Sequence, residues 1–200
     1  MPRARLDETA VVDAAARLVD GDGLDSLTLA RVAATLGVRG PSLYSHVDGL
    51  EDLRCRVGAR GARELAEVLG RAAQGRAGSD ALAAVAEAYR TYAQAHPGRY
   101  AAAQHARELS GSEEAVAAST AAVEVVLAVL RGYGIEGEDA LHATRAIRAA
   151  LHGFVLLEAD GGFALDLSID ESFTRLIATL DHGLRRVQQC RSGPLDQLDH

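Results

Sequence analysis

Apolar residues recur every three or four positions along nearly the whole chain, and no run alternates apolar with polar over the length of a strand. The pattern predicts an all-α protein of eight or nine helices. A first helix runs from Asp7 to about Asp20, capped by Asp7 or Thr9, with Val12, Ala15, Ala16 and Val19 along one face and Gly21-Asp22-Gly23 stopping it. Thr28 caps a second, on which Leu29, Val32, Ala33 and Leu36 share a side, and Gly37 stands where a left-handed C-cap is expected. Pro41 suits the first turn of a third short helix, whose Leu43 and Val47 form its apolar face. Two short helices hinged at a glycine form a helix-turn-helix pattern, in which the second enters the major groove of DNA.

Further on, Asp48 with Glu51 resembles a capping box for a helix from 49 to about Gly70, bearing Leu53, Val57, Leu65, Val68 and Leu69. Gly70, Gly75 and Gly78 predict a loop over 70–79. A helix capped by Ser79 carries Leu82, Val85, Ala88, Tyr89 and Tyr92 until Pro97, and a short piece spans Tyr100 to Leu109 before Ser110-Gly111. The stretch 113–133, with Val116, Val123, Val126, Leu127 and Leu130, is apolar enough to expect burial around most of its circumference. Helices over 138–158 and 170–189 complete the chain, separated by Gly161-Gly162. Residues 191–200 are expected to be a disordered tail, and Met1–Leu6, with Arg3 and Arg5, a flexible arm that could reach a minor groove or simply be solvated. The division expected is a helix-turn-helix domain at 1–53, a connecting helix over 49–70, and a second domain at 71–190.

Composition narrows the function. With 200 residues and 48% hydrophobic content the chain can bury a sizeable core. The absence of a signal peptide or any uncharged run of spanning length points to a cytoplasmic protein with no membrane association. Cys55 and Cys190 form no disulfide or zinc pattern and read as two unpaired thiols. The net charge of −7 argues against nucleic acid until it is divided. Residues 1–63 hold nine arginines and nine acids, so the whole acidic excess lies beyond them. The chain has no lysine, which makes each arginine weaker evidence for recognition than usual.

On the short helix, Ser42 and Pro41 are small enough for close approach to base edges, where a hydroxyl pairs with several bases and a proline touches a thymine methyl. Arg39 can reach a guanine edge or a phosphate, and Tyr44 and His46 carry polar tips suited to phosphates. Each alone would pass as ordinary surface; their arrangement after Gly37 is what raises the reading. Thr28 to Val47, together with the flanking Asp7 to Leu53, resembles the N-terminal domain of TetR (tetracycline-repressor-like) regulators. Residues 151–163, followed by Ser172-Phe173 and Leu180–Leu184, resemble the C-terminal domain of a subgroup named for a Trp-His-Gly motif, with Leu151 in place of the tryptophan.

That resemblance implies a homodimeric, ligand-responsive repressor that leaves a pseudo-palindromic DNA operator when a small-molecule effector binds, with no cofactor and no metal. It implies phosphate contacts at Thr28, Tyr44 and His46 and base contacts at Pro41 and Ser42, with Arg39 and Gly40 beside them. Two departures are that Leu50 replaces a family lysine and Ala30 a base-reading arginine. Effector candidates are Tyr89, Tyr92, Tyr100, His105, Phe154 and Glu158, with core packing or plain surface as the alternative for each. Candidates for both core and dimer interface are Leu151, Val155, Phe173, Leu176, Ile177, Leu180 and Leu184, and His152-Gly153 could serve close helix packing. Catalysis finds little support: His142 and His152 fall about 80° apart around a helix, and no nucleophile frame occurs. An interaction module that has lost operator binding is the remaining alternative, favoured by the neutral charge of residues 1–63 and by Leu50.

Overall fold

The computed structural model describes residues 6–109 and 113–192, with only the backbone described for 105–109, 114, 115 and 189–192. The arm with Arg3 and Arg5, the Ser110-Gly111 turn and the tail from 193 therefore lie outside the described residues. Eight α-helices occur among them: α1 (Glu8–Asp22), α2 (Leu29–Leu36), α3 (Leu50–Ala73), α4 (Gly78–Ala95), α5 (Pro97–Leu109), α6 (Glu113–Arg131), α7 (Gly137–Ala159) and α8 (Ile169–Ser192). Short 3-10 turns lie at Leu24–Ser26 and Gly40–Ser45. The described residues include no strand, as the periodicity predicts.

Local chemistry explains most of the boundaries. The Asp7 carboxylate accepts the Ala10 N–H at 2.8 Å and starts α1, while Gly23, at φ 82°, ends it. α3 runs through Gly70 to Ala73, because a single glycine costs a long helix only about 1 kcal/mol, and the loop expected at 70–79 shrinks to residues 74–77. Pro97 opens α5 as well as closing α4, so that helix starts three residues earlier than Tyr100. The capping box at Asp48 does not form: the Asp48 N–H donates instead to Asp52 Oδ2 at 2.9 Å. The expected burial of α6 also fails. Ala118, Val129 and Leu130 are buried, but Val123, Val126 and Leu127 are half-buried and Val116 is exposed. Much of the remaining surface of α6 is alanine, whose small apolar area makes exposure cheap.

The chain forms two compact units that are not consecutive in sequence. The first comprises 1–67 with 92–122, the second 68–91 with 123–200. The core of the first gathers Val11, Ala15 and Val19 of α1, Val32 of α2, Leu43 and Val47, and Leu53 and Val57 of α3, with Ala102 of α5 beside them. α5 approaches α1 so closely that a β-carbon at Gly98 would lie 2.0 Å from the Val19 carbonyl oxygen. In the second unit Tyr133 donates to Asp181 Oδ1 of α8 at 2.6 Å, and Leu130, Ile135, Ile147, Leu151 and Val155 are buried. Gly153 does not serve close packing within this chain, since a β-carbon there would meet nothing within 4 Å.

Replacing Gly98 by Ala should lower the urea midpoint strongly, by about 1–3 kcal/mol or more of stability, because backbone rather than a flexible side chain must move. Gly21→Ala, a site with open space on α1, should be neutral or slightly stabilising in the same measurement.

Candidate nucleic-acid interface

The reading segment is built from its first residue. Thr28, extended at φ −138°, accepts the Arg31 N–H on its Oγ1 at 3.2 Å. This cap uses an oxygen lone pair and leaves the hydroxyl proton free to donate to a phosphate. The Arg31 side chain turns back and ties the start of α2 to the preceding turn, pairing with Asp22 and donating to the Ser26 carbonyl at 3.1 Å. At the other end Gly37 sits at φ 65°, ψ 30°, and the Val38 N–H reaches the Ala33 carbonyl at 3.0 Å. That left-handed cap turns the chain toward the second element, and a residue with a side chain would be strained there.

The second element is a six-residue 3-10 helix, Gly40–Ser45, in place of the expected α-helix. At three residues per turn, positions three apart stack along the axis. Leu43 is fully buried and Val47 nearly so, which pins the segment to the core. Pro41 stacks with Tyr44 and Ser42 with Ser45, and all four are exposed. The Ser42 N–H donates to the Arg39 carbonyl at 3.0 Å and Ser45 Oγ to the Ser42 carbonyl at 2.9 Å, closing a tight turn. Arg39 is exposed, Gly40 and His46 are half-buried, and Tyr44 keeps 62% of its surface open, which is unusual for a large aromatic side chain. Thr28, Arg39, Pro41, Ser42 and Tyr44 are thus all exposed around one glycine-hinged pair of turns.

Much of the positive charge of this half is matched by neighbouring acids. Arg31 pairs with Asp22, Arg54 with Glu51, Arg56 with Glu8 and Asp52, and Arg60 with Asp13 and Glu64. A crevice of 110 Å³ between α1 and α3 is lined by Glu8, Thr9, Val12, Arg56, Arg60 and Arg63, and its arginines face these acids. Arg39 has no ion pair among the described residues, so its charge is available to a ligand.

A polar network behind the segment holds α1, α3 and α5 together. Asp20, near the end of α1, accepts the Arg99 backbone N–H at 2.9 Å and its Nε at 2.7 Å. The other arm of Arg99 pairs with Glu64 Oε2 at 2.5 Å and meets His96 Nδ1 at 2.6 Å. The Tyr92 hydroxyl is shared between the Gly61 carbonyl and Glu64 Oε2, both 3.1 Å away. Burial pushes the Glu64 carboxyl up, but the Arg60 hydrogen bond, the charges of Arg99 and Arg60 and the Tyr92 hydroxyl together hold it below its ordinary value. Burial and the Glu64 charge push the Tyr92 phenol up.

The effector candidates are divided between the two units. Tyr92 and Tyr100 are buried in the first unit; Tyr89 and Phe154, both buried, and Glu158, half-buried, belong to the second. His105 lies on α5, but its side chain is outside the described residues. Arg90, which sequence reasoning passed over, is buried in the second unit and binds Glu158. Its signal was available, for Arg90 falls four after Ala86 and eight after Leu82 on the buried face of α4. Of the interface candidates Leu151, Val155, Phe173 and Leu184 are buried within the chain's own fold, while Leu176, Ile177 and Leu180 are half-buried. The large apolar residues exposed on those helices, among the described side chains, are Leu141, Leu156, Leu157 and Val187. No group of acids, histidines and cysteines among the described residues could hold a metal ion, and no described helix is long and apolar enough to cross a membrane. Cys55 is a free, half-buried thiol.

Residues 82–180 match the family model of the tetracyclin repressor-like C-terminal domain. An uncharacterised HTH-type transcriptional regulator of Mycobacterium tuberculosis is 43% identical over 183 residues, which cover 92% of this chain and 84% of that protein. The chain belongs to the TetR family of transcriptional regulators. This TetR-family chain is also 34% identical to an uncharacterised HTH-type transcriptional regulator of Bacillus subtilis, over 92% of its own length and 95% of the relative's. Its fold is shared with a protein of unknown function from Rhodococcus sp. RHA1, at a TM-score of 0.79 and 24% identity over 92% and 99% of the two chains. A TetR variant from Acinetobacter baumannii AYE in complex with minocycline matches at a TM-score of 0.69 and 24% identity, over 92% and 99%.

Because Glu64 is held below its ordinary value, its contribution to the stability of the regulator is complete above about pH 4.5 and is lost as pH falls through the lower folded value. Urea midpoints of wild type should therefore drop more steeply below that pH than those of Glu64→Gln.

Proposed function

We propose that this regulator is a ligand-responsive repressor that binds a pseudo-palindromic duplex operator as a homodimer and is released by a small-molecule effector. The observation that carries the reading is the exposed ridge of Arg39, Pro41, Ser42 and Tyr44 on a segment anchored by buried Leu43 and Val47. A segment kept only for packing would have no reason to leave Tyr44 open to water beside an arginine that has no ion pair among the described residues. Thr28, Tyr44 and His46 hold phosphates, Pro41 and Ser42 face base edges, and Arg39 and Gly40 flank them. In domain terms, residues 1–53 read DNA, 49–70 connect, and 71–190 bind effector and the second subunit.

The dimer is formed through α7 and α8, whose exposed Leu141, Leu156 and Val187 supply apolar surface over a core of Leu151, Val155, Phe173 and Leu184. A structural neighbour that carries minocycline supports a small organic effector as the ligand class. The effector acts through its different affinities for two states of the dimer, one of which spaces the reading segments to fit successive major grooves. The chain works in the cytoplasm and performs no catalysis.

The decisive assay is binding of the purified dimer at low salt to DNA from its own promoter neighbourhood. Tyr44→Phe should weaken binding to all sequences by about ten- to a hundredfold, the share of one hydrogen bond to a charged group. Ser42→Ala should narrow the difference between operator and unrelated DNA. Binding without sequence preference, in wild type as in both variants, would sink the repressor reading in favour of an interaction module.

A further inference from the structure

Arg90 and Thr144 are the buried polar side chains among the described residues. Thr144 is satisfied inside its own helix by the Ala140 carbonyl at 2.8 Å. Arg90 is satisfied only by residues far away in sequence. Its Nε and Nη2 clamp Glu158 at 2.8 and 2.5 Å, and Nη2 also donates to Asp170 Oδ1 at 2.8 Å. The guanidinium carbon lies 4.9 Å from the centre of the Phe173 ring and 5.7 Å from that of Phe154, which in turn stacks against Phe163 at 4.8 Å.

The two carboxylates are not equivalent. Glu158 is 15% exposed and meets the fork with both oxygens, which is the strong geometry for this pair. Asp170 leaves 85% of its side chain in water and makes one bond, from the first turn of α8. Water competes for such a contact, so Arg90 has one permanent partner and one exchangeable partner. Phe163 is only half-buried, and the loop that carries it also bears Leu165 and Leu167, exposed at 78% and 71%. A charge anchor thus stands beside an aromatic floor and a loop with two uncovered leucines.

We propose that Arg90 anchors an apolar monocarboxylic acid, whose carboxylate takes the place of Asp170 on Nη2 while its hydrocarbon lies along Phe163 and the loop of Leu165 and Leu167. It rests on the reading of this unit as the effector-binding part of the chain. The exchange leaves the number of carboxylates on Arg90 unchanged: Glu158 keeps the fork, and one anion replaces another while Asp170 moves into the water it already faces. A neutral ligand of the same shape gains the apolar contact but cannot displace Asp170, and a second negative charge on the ligand would face Glu158. Binding also unties the first turn of α8, which gives the acid two states to discriminate.

The test is calorimetric titration of the full chain with octanoate and, as the neutral match, octanamide. Octanoate should bind and octanamide should not. Asp170→Asn removes the competing charge and should tighten octanoate by about two- to fivefold, the value of an exposed ion pair. Arg90→Gln should abolish binding; if that variant fails to fold because Glu158 is stranded, the Asp170→Asn result decides alone. Equal binding of the two probes, no octanoate binding, or octanoate affinity that is unchanged or weaker in Asp170→Asn overturns the proposal. The same samples are assayed on promoter DNA. Operator binding without octanoate binding discards the site and leaves the repressor reading, and octanoate binding without operator binding does the reverse.

Discussion

The approach of α5 to α1 is the constraint on which the first unit depends. The first turn of α5 lies against the last carbonyls of α1 at a distance that only a glycine allows, and Asp20 then accepts the backbone N–H of Arg99. That carboxylate acts as an N-cap for α5 although it stands 79 residues upstream. Arg99 carries the same junction on to Glu64 of α3, and Tyr92 closes the circuit. The core of α1, α2 and α3, which supports the reading segment, is therefore held from behind by a helix that belongs to a later part of the chain. A buried network of this kind is costly if any member is lost, because the remaining charges stay desolvated.

A second consequence of the same chemistry concerns attraction to DNA. Arg31 of α2 and Arg56 and Arg60 of α3 are matched to acids of α1, and the last two pairs stabilise the packing of α1 on α3 instead of adding to an external field. Long-range attraction by this half is small, and the salt dependence of binding should be shallow. What the proposed reading leaves for recognition is local: Arg39, with no ion pair among the described residues, small groups at Pro41 and Ser42, and the hydroxyls of Thr28 and Tyr44. On that proposal, sequences are distinguished by fit and by the spacing of two copies more than by raw affinity.

Where the cause is local, the sequence was legible. Asp7, Thr28 and Gly37 are recognisable from their own neighbours, and each sits where capping chemistry places it. The spacing of Leu43 and Val47 located the buried side of the reading segment, although it did not disclose a 3-10 turn, since a pair four apart suits either form over so few residues. Asp48 failed as a capping-box residue because Asp52, one position beyond the pattern, offered its N–H a better acceptor. Long-range causes stayed hidden. Nothing near Gly98 announces that Val19 will lie against it, and nothing near Asp20 announces its bond to Arg99. Arg90 is intermediate: its place on an apolar face was visible, but that Glu158 and Asp170 would meet it depends on the fold. Leu151, Val155, Phe173 and Leu184 were sound core candidates, and periodicity alone could not separate the surface a chain buries within itself from the surface it offers to a copy.

The tertiary cap on α5 bears on how such proteins recombine. Residues 1–67 contain the whole DNA-reading pattern, yet a piece cut there carries Asp20 and Val19 without Arg99 and Gly98. Joining the head of one relative to the sensing half of another would bring together an α1 and an α5 that had never been fitted to each other. The exchangeable module in this chain is discontinuous, and a working chimera has to transplant both sides of the junction or preserve both.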